Sequence, residues 1–380
     1  MNLSPRKALN RPPNAASSWI ILPEELITEL LSFLPVKSLM RFKCCCKSWE
    51  TLISDPSFIK LHLQRSTRNP QLALARLYRD SPSTLNTSVL PISSSHLLDS
   101  PSKSITHTND PYYLLKDKDC TVVVGSCNGL LCLFGCSFMD NEMWLRFWNP
   151  ATRTISKKLG NCPIDPGSMK RILTYKVVAL DESVRVFSLG DNVWRNIHLP
   201  AYFYLYKGVH LNGSVNFLAI RDYVADYYDP GDITVEQVTI ISLDLRTETY
   251  KEFIPPRGFD QKPYVEPSLF VLMDCLCFSE VVKETHFVIW KMTDYGVEES
   301  WTHLLKISFQ IIKFFYHEWL PCFPLHLSKN HDTLILEGYY GTLPIVFNLR
   351  DGSLEQIKIT NGQNDRLYMK NYVESLVLCH

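Results

Sequence analysis

The sequence lacks any apolar run that approaches the roughly 20 residues a membrane-spanning helix needs. It also lacks net charge, because 39 Lys and Arg residues balance 39 Asp and Glu residues and no long basic block occurs. The start, MNLSPRKALNRPPNAASS, has charge and proline but no apolar core of a secretory signal. We therefore expect no membrane and no nucleic-acid partner, a location in the cytoplasm or nucleus, and proteins as partners.

Motifs that carry catalysis are missing as well. No P-loop or HExxH occurs, and the eleven histidines lack ligand spacing. Ser126 and Cys127 lie in the glycine-bounded segment GSCNG, but a nucleophile elbow requires a helix next, and LLCLF is typical of a strand. We expect no catalytic residues, no enzyme activity and no cofactor, while a carboxylate pair assembled from distant segments stays open.

The twelve cysteines show no CxxC pair of the kind that binds zinc. In a reducing compartment such residues are by default free thiols that pack as small hydrophobic side chains. We predict core packing rather than metal ligation for two groups of them. These are Cys44, Cys45 and Cys46 near the start, and Cys120, Cys127, Cys132 and Cys136 further on.

What the sequence does contain is a dense apolar pattern at 22–49, LPEELITELLSFLPVKSLMRFKCCCKSW. Pro23 suits a first helical position, Pro35 ends the helix, and Ser38 is placed to cap a second helix that continues through Cys46. Asp55, followed by proline, predicts a further helix start. One helical stripe is formed by Leu26, Ile27, Leu30, Leu31 and Leu34. The pattern predicts three or four short helices in about 45 residues, near the lower size limit for an independent core.

This apolar stripe has two explanations: it packs on the rest of the chain, or it docks on another protein. The segment resembles the F-box, with its Leu-Pro start, Leu-rich helix, second Leu-Pro, Lys-x-Trp and DPxF finish. The resemblance implies docking on the Skp-type adaptor of a cullin–RING ubiquitin ligase. Cys45 departs from the family, which commonly has Val there, and we expect no loss of function. The residues implied to form or support the adaptor-binding face are Leu22, Pro23, Leu26, Leu30, Leu34, Pro35, Leu39, Phe42, Cys46 and Trp49.

From residue 70 onward the chain changes to short β-rich runs separated by turn residues. Asn128-Gly129, Asn212-Gly213 and Asp351-Gly352 lie between apolar runs and predict tight hairpins. Five strand–turn–strand units recur about 40 to 60 residues apart, close to the period of propeller blades. They are LRFWNPATRTISKKL, VRVFSLGDNVWRNIHL, TIISLDLRTETYKEF, HFVIWKMTDYGVEESWTHLLKI and PIVFNLRDGSLEQIKI. With PQLALARLY they predict about six blades of a β-propeller, and a large β-sandwich is the alternative.

Six segments resemble the plant F-box-associated interaction domain, a kelch-like family that includes the S-locus F-box proteins. They are VGSCNGLLCLFG, FWNPATR, YKVV, VFSLGDNVWRNI, HLNGSVNFLA and YVESLV. The segment PGSMKRILTYKVV lacks the family's FGYD-like residues, so the second blade is expected to be irregular. The predicted fold is multidomain, a small all-α F-box bundle followed by a large all-β propeller-like domain. Its parts are a disordered segment at 1–18, the F-box at 19–63, a linker at 64–69 and the β domain at 70–380.

The two resemblances imply a substrate-recognition subunit of an SCF-type ubiquitin ligase, in which the β domain captures a protein for ubiquitination. Two alternatives stay open: a propeller that binds a glycan or small molecule, and a pollen self-incompatibility protein. The substrate-binding residues are unknown. Aromatic residues in connecting segments suit a protein or a sugar, and packing on blade edges equally. These are Tyr202, Phe203, Tyr204, Tyr206, Tyr227 and Tyr228.

Overall fold

The computed structural model describes most of the chain, and the statements below concern its described residues. The described residues are 22–67, 71–81, 84–93, 97, 104–106, 114–115, 120, 122–137, 142–159, 176–180, 184–199, 204–205, 208–221, 234–256, 267–313, 323–328, 330–337, 344–360 and 366–379. The predicted disordered segment 1–18 and residues 166–175 of the irregular segment lie outside them. None of the helices in these ranges has the length and hydropathy to cross a bilayer.

Four helices form the N-terminal bundle. They are α1 Glu24–Leu31, α2 Val36–Phe42, α3 Lys47–Ser54 and α4 Pro56–Ser66. The predicted start at Asp55 is confirmed, because its carboxylate accepts a hydrogen bond from Ser57 N at 2.8 Å. The predicted cap at Ser38 is wrong. Pro35 already precedes the first residue of α2, since its ring fixes a φ of −58° that leads into the helix.

The prediction that Cys44, Cys45 and Cys46 pack in the core is also wrong, because all three are exposed. The second helix ends at Phe42, and Cys46 has extended backbone angles before α3 begins. The predicted continuous helical face is therefore broken by a turn that carries the three thiols. In the β domain the prediction is confirmed for the buried Cys120 and Cys132. Cys127 is half-buried, and burial raises its pKa to about 11; the side chain of Cys136 is outside the description.

The β domain is a propeller of six blades. Blade 1 consists of β4 Val122–Cys127, β5 Leu130–Ser137, β6 Glu142–Asn149 and β7 Thr154–Ile155. Blade 2 consists of β8 Lys176–Leu180, β9 Val184–Ser188 and β10 Val193–Ile197. Blade 3 consists of β11 Tyr204–Leu205 and β12 Val209–Leu211, both paired with β13 Ser214–Ile220, followed by β14 Val238–Asp244 and β15 Tyr250–Phe253.

Blade 4 consists of β16 Ser268–Leu272, β17 Cys275–Val282, β18 His286–Met292 and β19 Trp301–Ser308. Blade 5 consists of β20 Phe323–Leu327, β21 Thr333–Glu337, β22 Ile345–Asn348 and β23 Leu354–Gln356. Blade 6 consists of β25 Arg366–Tyr372, β1 Gln71–Ser81 and β2 Thr84–Ser93. A short helix, α5 Phe309–Lys313, follows blade 4, and β3 Ser104–Thr106 pairs in parallel with β24 Lys358–Thr360.

Each pair of neighbouring blades encloses its own apolar cluster. Successive residues of a strand point to opposite faces of its sheet, so one strand supplies two clusters. In β1, Leu72 and Leu74 pack towards blade 5, whereas Ala73 and Ala75 pack towards blade 1. Because both faces are covered, strands such as β13 are buried at every position. The blades therefore stack around a ring, and the sandwich alternative is excluded.

The ring closes through strands from opposite ends of the chain. The strand β1 lies between β2 and β25 and pairs antiparallel with both. The five predicted strand–turn–strand units are confirmed, since each forms the outer hairpin of a blade, and PQLALARLY contributes β1. The described residues of the second blade form three strands. Because residues 166–175 lie outside the description, the predicted irregularity of this blade stays a prediction.

The Asn-Gly hairpins are confirmed. Both residues have positive φ at Asn128-Gly129 (49° and 82°) and at Asn212-Gly213 (50° and 78°), as two-residue turns of this kind require. Asp351-Gly352 differs. Only Gly352 has positive φ, and the connection runs from Asn348 to Leu354, so this hairpin has a longer loop than the sequence pattern predicted.

The helical bundle packs against the propeller at blade 1. Its buried core cluster contains five bundle residues, Ala151 of blade 1 and Leu376, which follows the last strand of the ring. The last helix, α4, continues to Ser66, so residues 64–66 of the predicted linker are helical. Only three residues separate the described end of the bundle at Thr67 from the first strand of the ring.

Candidate adaptor-docking surface

The predicted apolar stripe of α1 divides into two faces. Ile27, Leu31 and Leu34 belong to the bundle's own core, where Leu31 is 5% exposed. Leu22, Leu26 and Leu30 follow one another at intervals of four residues and are 44%, 50% and 59% exposed. Neighbouring residues of a helix differ by about 100° in direction, so adjacent leucines can serve different faces. Both explanations of the stripe therefore hold, each for its own residues.

The exposed row continues into Phe33, which is 66% exposed. We did not select this residue from the sequence, although it follows Leu30 by three positions and so was open to the same argument. Arg65 of α4 places its guanidinium 4.1 Å from the centre of the Phe33 ring. It also donates to Glu29 O at 3.1 Å and pairs with the Glu29 carboxylate at 2.5 Å. These contacts tie the end of α1 to α4 beside the exposed ring.

The other predicted face residues are distributed between surface and core. Pro23, Pro35 and Cys46 are exposed, and Leu34 is half-buried. Leu39 is fully buried, so it supports the surface from within rather than forming it. Phe42 and Trp49 make an edge-to-face pair with ring centres 5.1 Å apart, both partly buried against the bundle core. The surface proper is therefore the row Leu22, Leu26, Leu30 and Phe33, which we call the apolar row.

A buried histidine lies behind this surface. Nε2 of His62 lies 2.9 Å from Leu34 O, and the ring stacks on Phe58 with centres 6.4 Å apart. Burial lowers the pKa of His62 below its usual range, and the hydrogen bond to Leu34 partly opposes that effect. A neutral imidazole thus holds the segment between α1 and α2 in place.

The sequence of this chain matches two known domain families. Residues 83–379 match the family described as the F-box associated beta propeller domain, and residues 19–61 match the F-box domain. The chain belongs to the F-box associated β-propeller family. F-box domains as a class bind Skp-type adaptors within SCF complexes. The apolar row of this F-box is therefore on the domain that makes such contacts.

Relatives of this chain include plant F-box proteins. An F-box/kelch-repeat protein of Arabidopsis thaliana is 27% identical over 318 residues, covering 75% of this chain and 79% of the relative. The F-box protein CPR1 of the same plant is 25% identical over 384 residues, covering 89% and 84%. Among solved structures, a nidogen/laminin complex chain aligns with 8% identity and a TM-score of 0.41, covering 80% of this chain and 99% of that chain.

The F-box thus presents an apolar row, whereas the candidate substrate residues stay without a described site. Tyr202, Phe203, Tyr206, Tyr227 and Tyr228 lie outside the described residues, and Tyr204 starts β11 with its side chain undescribed. GSCNG forms the β4–β5 hairpin, as predicted. No group of metal-ligating side chains is assembled among the described residues. What the described surface can do chemically is bury apolar area against a partner.

Proposed function

We propose that this protein is the substrate-recognition subunit of an SCF-type ubiquitin ligase, without catalytic residues of its own, acting in the cytoplasm or nucleus. Its F-box docks on a Skp-type adaptor and thereby on a cullin–RING ligase, and the propeller captures a protein for ubiquitination. Binding then holds a lysine of the captured protein near the ubiquitin-charged enzyme, which raises its effective concentration.

One observation carries this proposal: the F-box leaves exposed a row of large apolar side chains that take no part in the buried core of the bundle. Four large apolar side chains within twelve residues are each 44% to 66% exposed, and clustered apolar exposure of this kind marks an interaction site. An amphipathic helix with a second apolar face is typical of helices that lie in a partner's groove. Both the domain class and the exposed row therefore favour the adaptor as the partner.

The experiment is capture of a recombinant Skp-type adaptor by the full chain, with Leu26→Asp/Leu30→Asp as the test variant. Two carboxylates forced into an apolar interface cost several kcal/mol, so we expect binding to fall at least a hundredfold. Both side chains point to solvent in the free protein, so the melting temperature is expected to stay within about 2 °C.

A matched control is Lys60→Asp/Gln64→Asp, which places two carboxylates on the exposed side of α4. This variant is expected to bind the adaptor as the wild type does. Leu34→Asp is unsuitable as a test, because Leu34 packs on the bundle core and its loss would unfold the domain. Undiminished binding by Leu26→Asp/Leu30→Asp would refute docking through the apolar row.

A further inference from the structure

The last described residues of the chain, 373–379, contact two domains in alternation. Glu374 and Leu376 contact the F-box, whereas Ser375, Val377 and Cys379 contact blade 1. Alternation of this kind is what an extended chain produces, because successive side chains point to opposite sides. We call residues 373–379 the C-terminal segment.

On the F-box side the contacts are one hydrogen bond and one buried side chain. The backbone amide of Val36, at the start of α2, donates to Glu374 Oε2 at 3.2 Å. Leu376 is 3% exposed and belongs to the same apolar cluster as Leu31, Val36 and other bundle residues. The bundle core is therefore completed by a side chain that lies more than 300 positions away in the sequence.

On the blade 1 side the segment is held by two of the motifs that resemble the F-box-associated domain. Asn149, of the FWNPATR motif, is fully buried, and its Nδ2 donates to Ser375 O at 2.9 Å and to Val377 O at 2.8 Å. Ser375 Oγ donates to Asn128 O, in the GSCNG turn, at 2.6 Å. Cys379 Sγ lies 3.4 Å from Thr154 O of β7.

We propose that the C-terminal segment is an interdomain clamp that fixes the F-box on blade 1, so that the apolar row and the propeller move as one body. The backbone of the segment is anchored to blade 1 by Asn149, and the side chains of Glu374 and Leu376 hold the F-box. A rigid link matters for a receptor because a captured lysine must be presented in one place. Only that consequence depends on the proposed function; the clamp itself does not.

The test is hydrogen exchange of the full chain, comparing Leu376→Asp with its matched control Leu378→Asp. Leu378 lies on the same side of the segment, two residues further on, but is 49% exposed. In Leu376→Asp we expect exchange of the amides of α1, α2 and α4 to accelerate at least tenfold, while amides of β4 to β6 keep their rates. In Leu378→Asp all of these rates are expected to stay within twofold.

Unchanged exchange of the F-box helices in Leu376→Asp would overturn the clamp. Equal acceleration in β4 to β6 would also overturn it, because the segment would then be a part of the propeller rather than a link. A milder variant, Glu374→Ala, removes only the carboxylate and leaves the apolar core intact. It is expected to accelerate exchange of the Val36 amide several-fold, and an unaltered rate there counts against the clamp.

Adaptor capture separates the clamp from the proposed function. If the wild type fails to bind the adaptor, the proposed function fails while the exchange result still decides the clamp. If the wild type binds, Glu374→Ala is expected to bind the adaptor within threefold of it, because the apolar row is untouched. Loss of adaptor binding in Glu374→Ala would show that the segment forms the docking surface instead of orienting it.

Discussion

Adjacent residues of α1 differ in burial, one facing solvent and the next packing inward. The exposed residues determine what the F-box can bind. Leu30 faces solvent while Leu31 is buried, and Leu26 faces solvent while Ile27 packs inward. Helical periodicity identified all of these residues as apolar and near one another, but a stripe of that width fits either one broad face or two narrow ones. The distinction depends on which residues α3 and α4 cover, and no local pattern in the sequence encodes that cover.

His62 is predicted to make the F-box less stable in acid. Its pKa is lowered by burial in the folded protein, whereas an unfolded histidine has a pKa of about 6.5. The unfolded state therefore takes up the proton first as the pH falls below about 6.5, and stability is lost until the pH reaches the folded-state pKa. The slope for one proton is at most about 1.4 kcal/mol per pH unit.

The measurement is the free energy of opening of the F-box between pH 7.5 and 5.5, from exchange of α4 amides, in the wild type and in His62→Gln. Gln keeps a polar group near Leu34 O but does not titrate in this range. We expect the wild type to lose more stability than His62→Gln over this interval. His210 and His326 are half-buried and also have lowered pKa values, but they are present in both proteins and cancel in the comparison. Equal slopes would assign the acid sensitivity to other groups.

At the level of elements, the hairpins were predictable because their causes are local. An Asn-Gly pair between two apolar runs specifies a tight turn whatever surrounds it, and both such pairs form one. The stretch through Cys44 to Cys46 was mispredicted because an apolar spacing can continue in sequence across a turn that ends the helix. The contact between Val36 and Glu374 had no signal at all, since it joins residues 338 positions apart.

The two Asn-Gly turns provide a matched pair of glycines. Gly129 and Gly213 have similar positive φ, so Ala at either position costs about 1 kcal/mol of backbone strain. A Cβ at Gly213 would meet nothing within 4 Å, whereas a Cβ at Gly129 would lie 2.3 Å from Ser375 Oγ. We expect Gly129→Ala to destabilise the protein by about 1–3 kcal/mol more than Gly213→Ala, because the C-terminal segment must shift.

Denaturant titration of both variants, monitored by tryptophan fluorescence, gives this difference. The excess cost at Gly129 is also expected to shrink, without disappearing, when Ser375→Gly is added. That change removes the Ser375 side chain, whereas Val373 O stays 2.6 Å from the added Cβ. An equal cost for the two glycines would mean that the C-terminal segment yields without resistance.

For the whole molecule, stability resides in the interfaces between blades. Each of the six apolar clusters joins two blades, so a blade has a complete core only when both neighbours are present. The number of blades was predictable from the spacing of the repeats. The way in which the ring closes was not, because β1 and β25 come from opposite ends of the chain and their pairing depends on the whole arrangement.

Because β1 closes the ring, we predict that the propeller can be separated from the F-box only by a cut that keeps β1. A fragment of residues 68–380 keeps β1 between β2 and β25 and keeps both clusters that β1 supplies. A fragment of residues 83–380, which begins where the family match begins, loses that strand. Leu72 and Leu74 are then missing from the cluster with blade 5, and Ala73 and Ala75 from the cluster with blade 1. We expect the first fragment to be a soluble monomer with a cooperative thermal transition and the second to aggregate.

In the longer fragment, residues 68–380, removal of the F-box exposes Ala151 and Leu376 to solvent. Leu376→Asp should therefore be tolerated in residues 68–380, with a melting temperature within about 2 °C of the unsubstituted fragment, although it disturbs the F-box in the full chain. Gel filtration and scanning calorimetry of both fragments, with and without this substitution, give the comparison. A folded, monomeric 83–380 fragment would show that β1 is dispensable, and that the ring is held by the four interfaces to which β1 does not contribute and not by the pairing of its two ends.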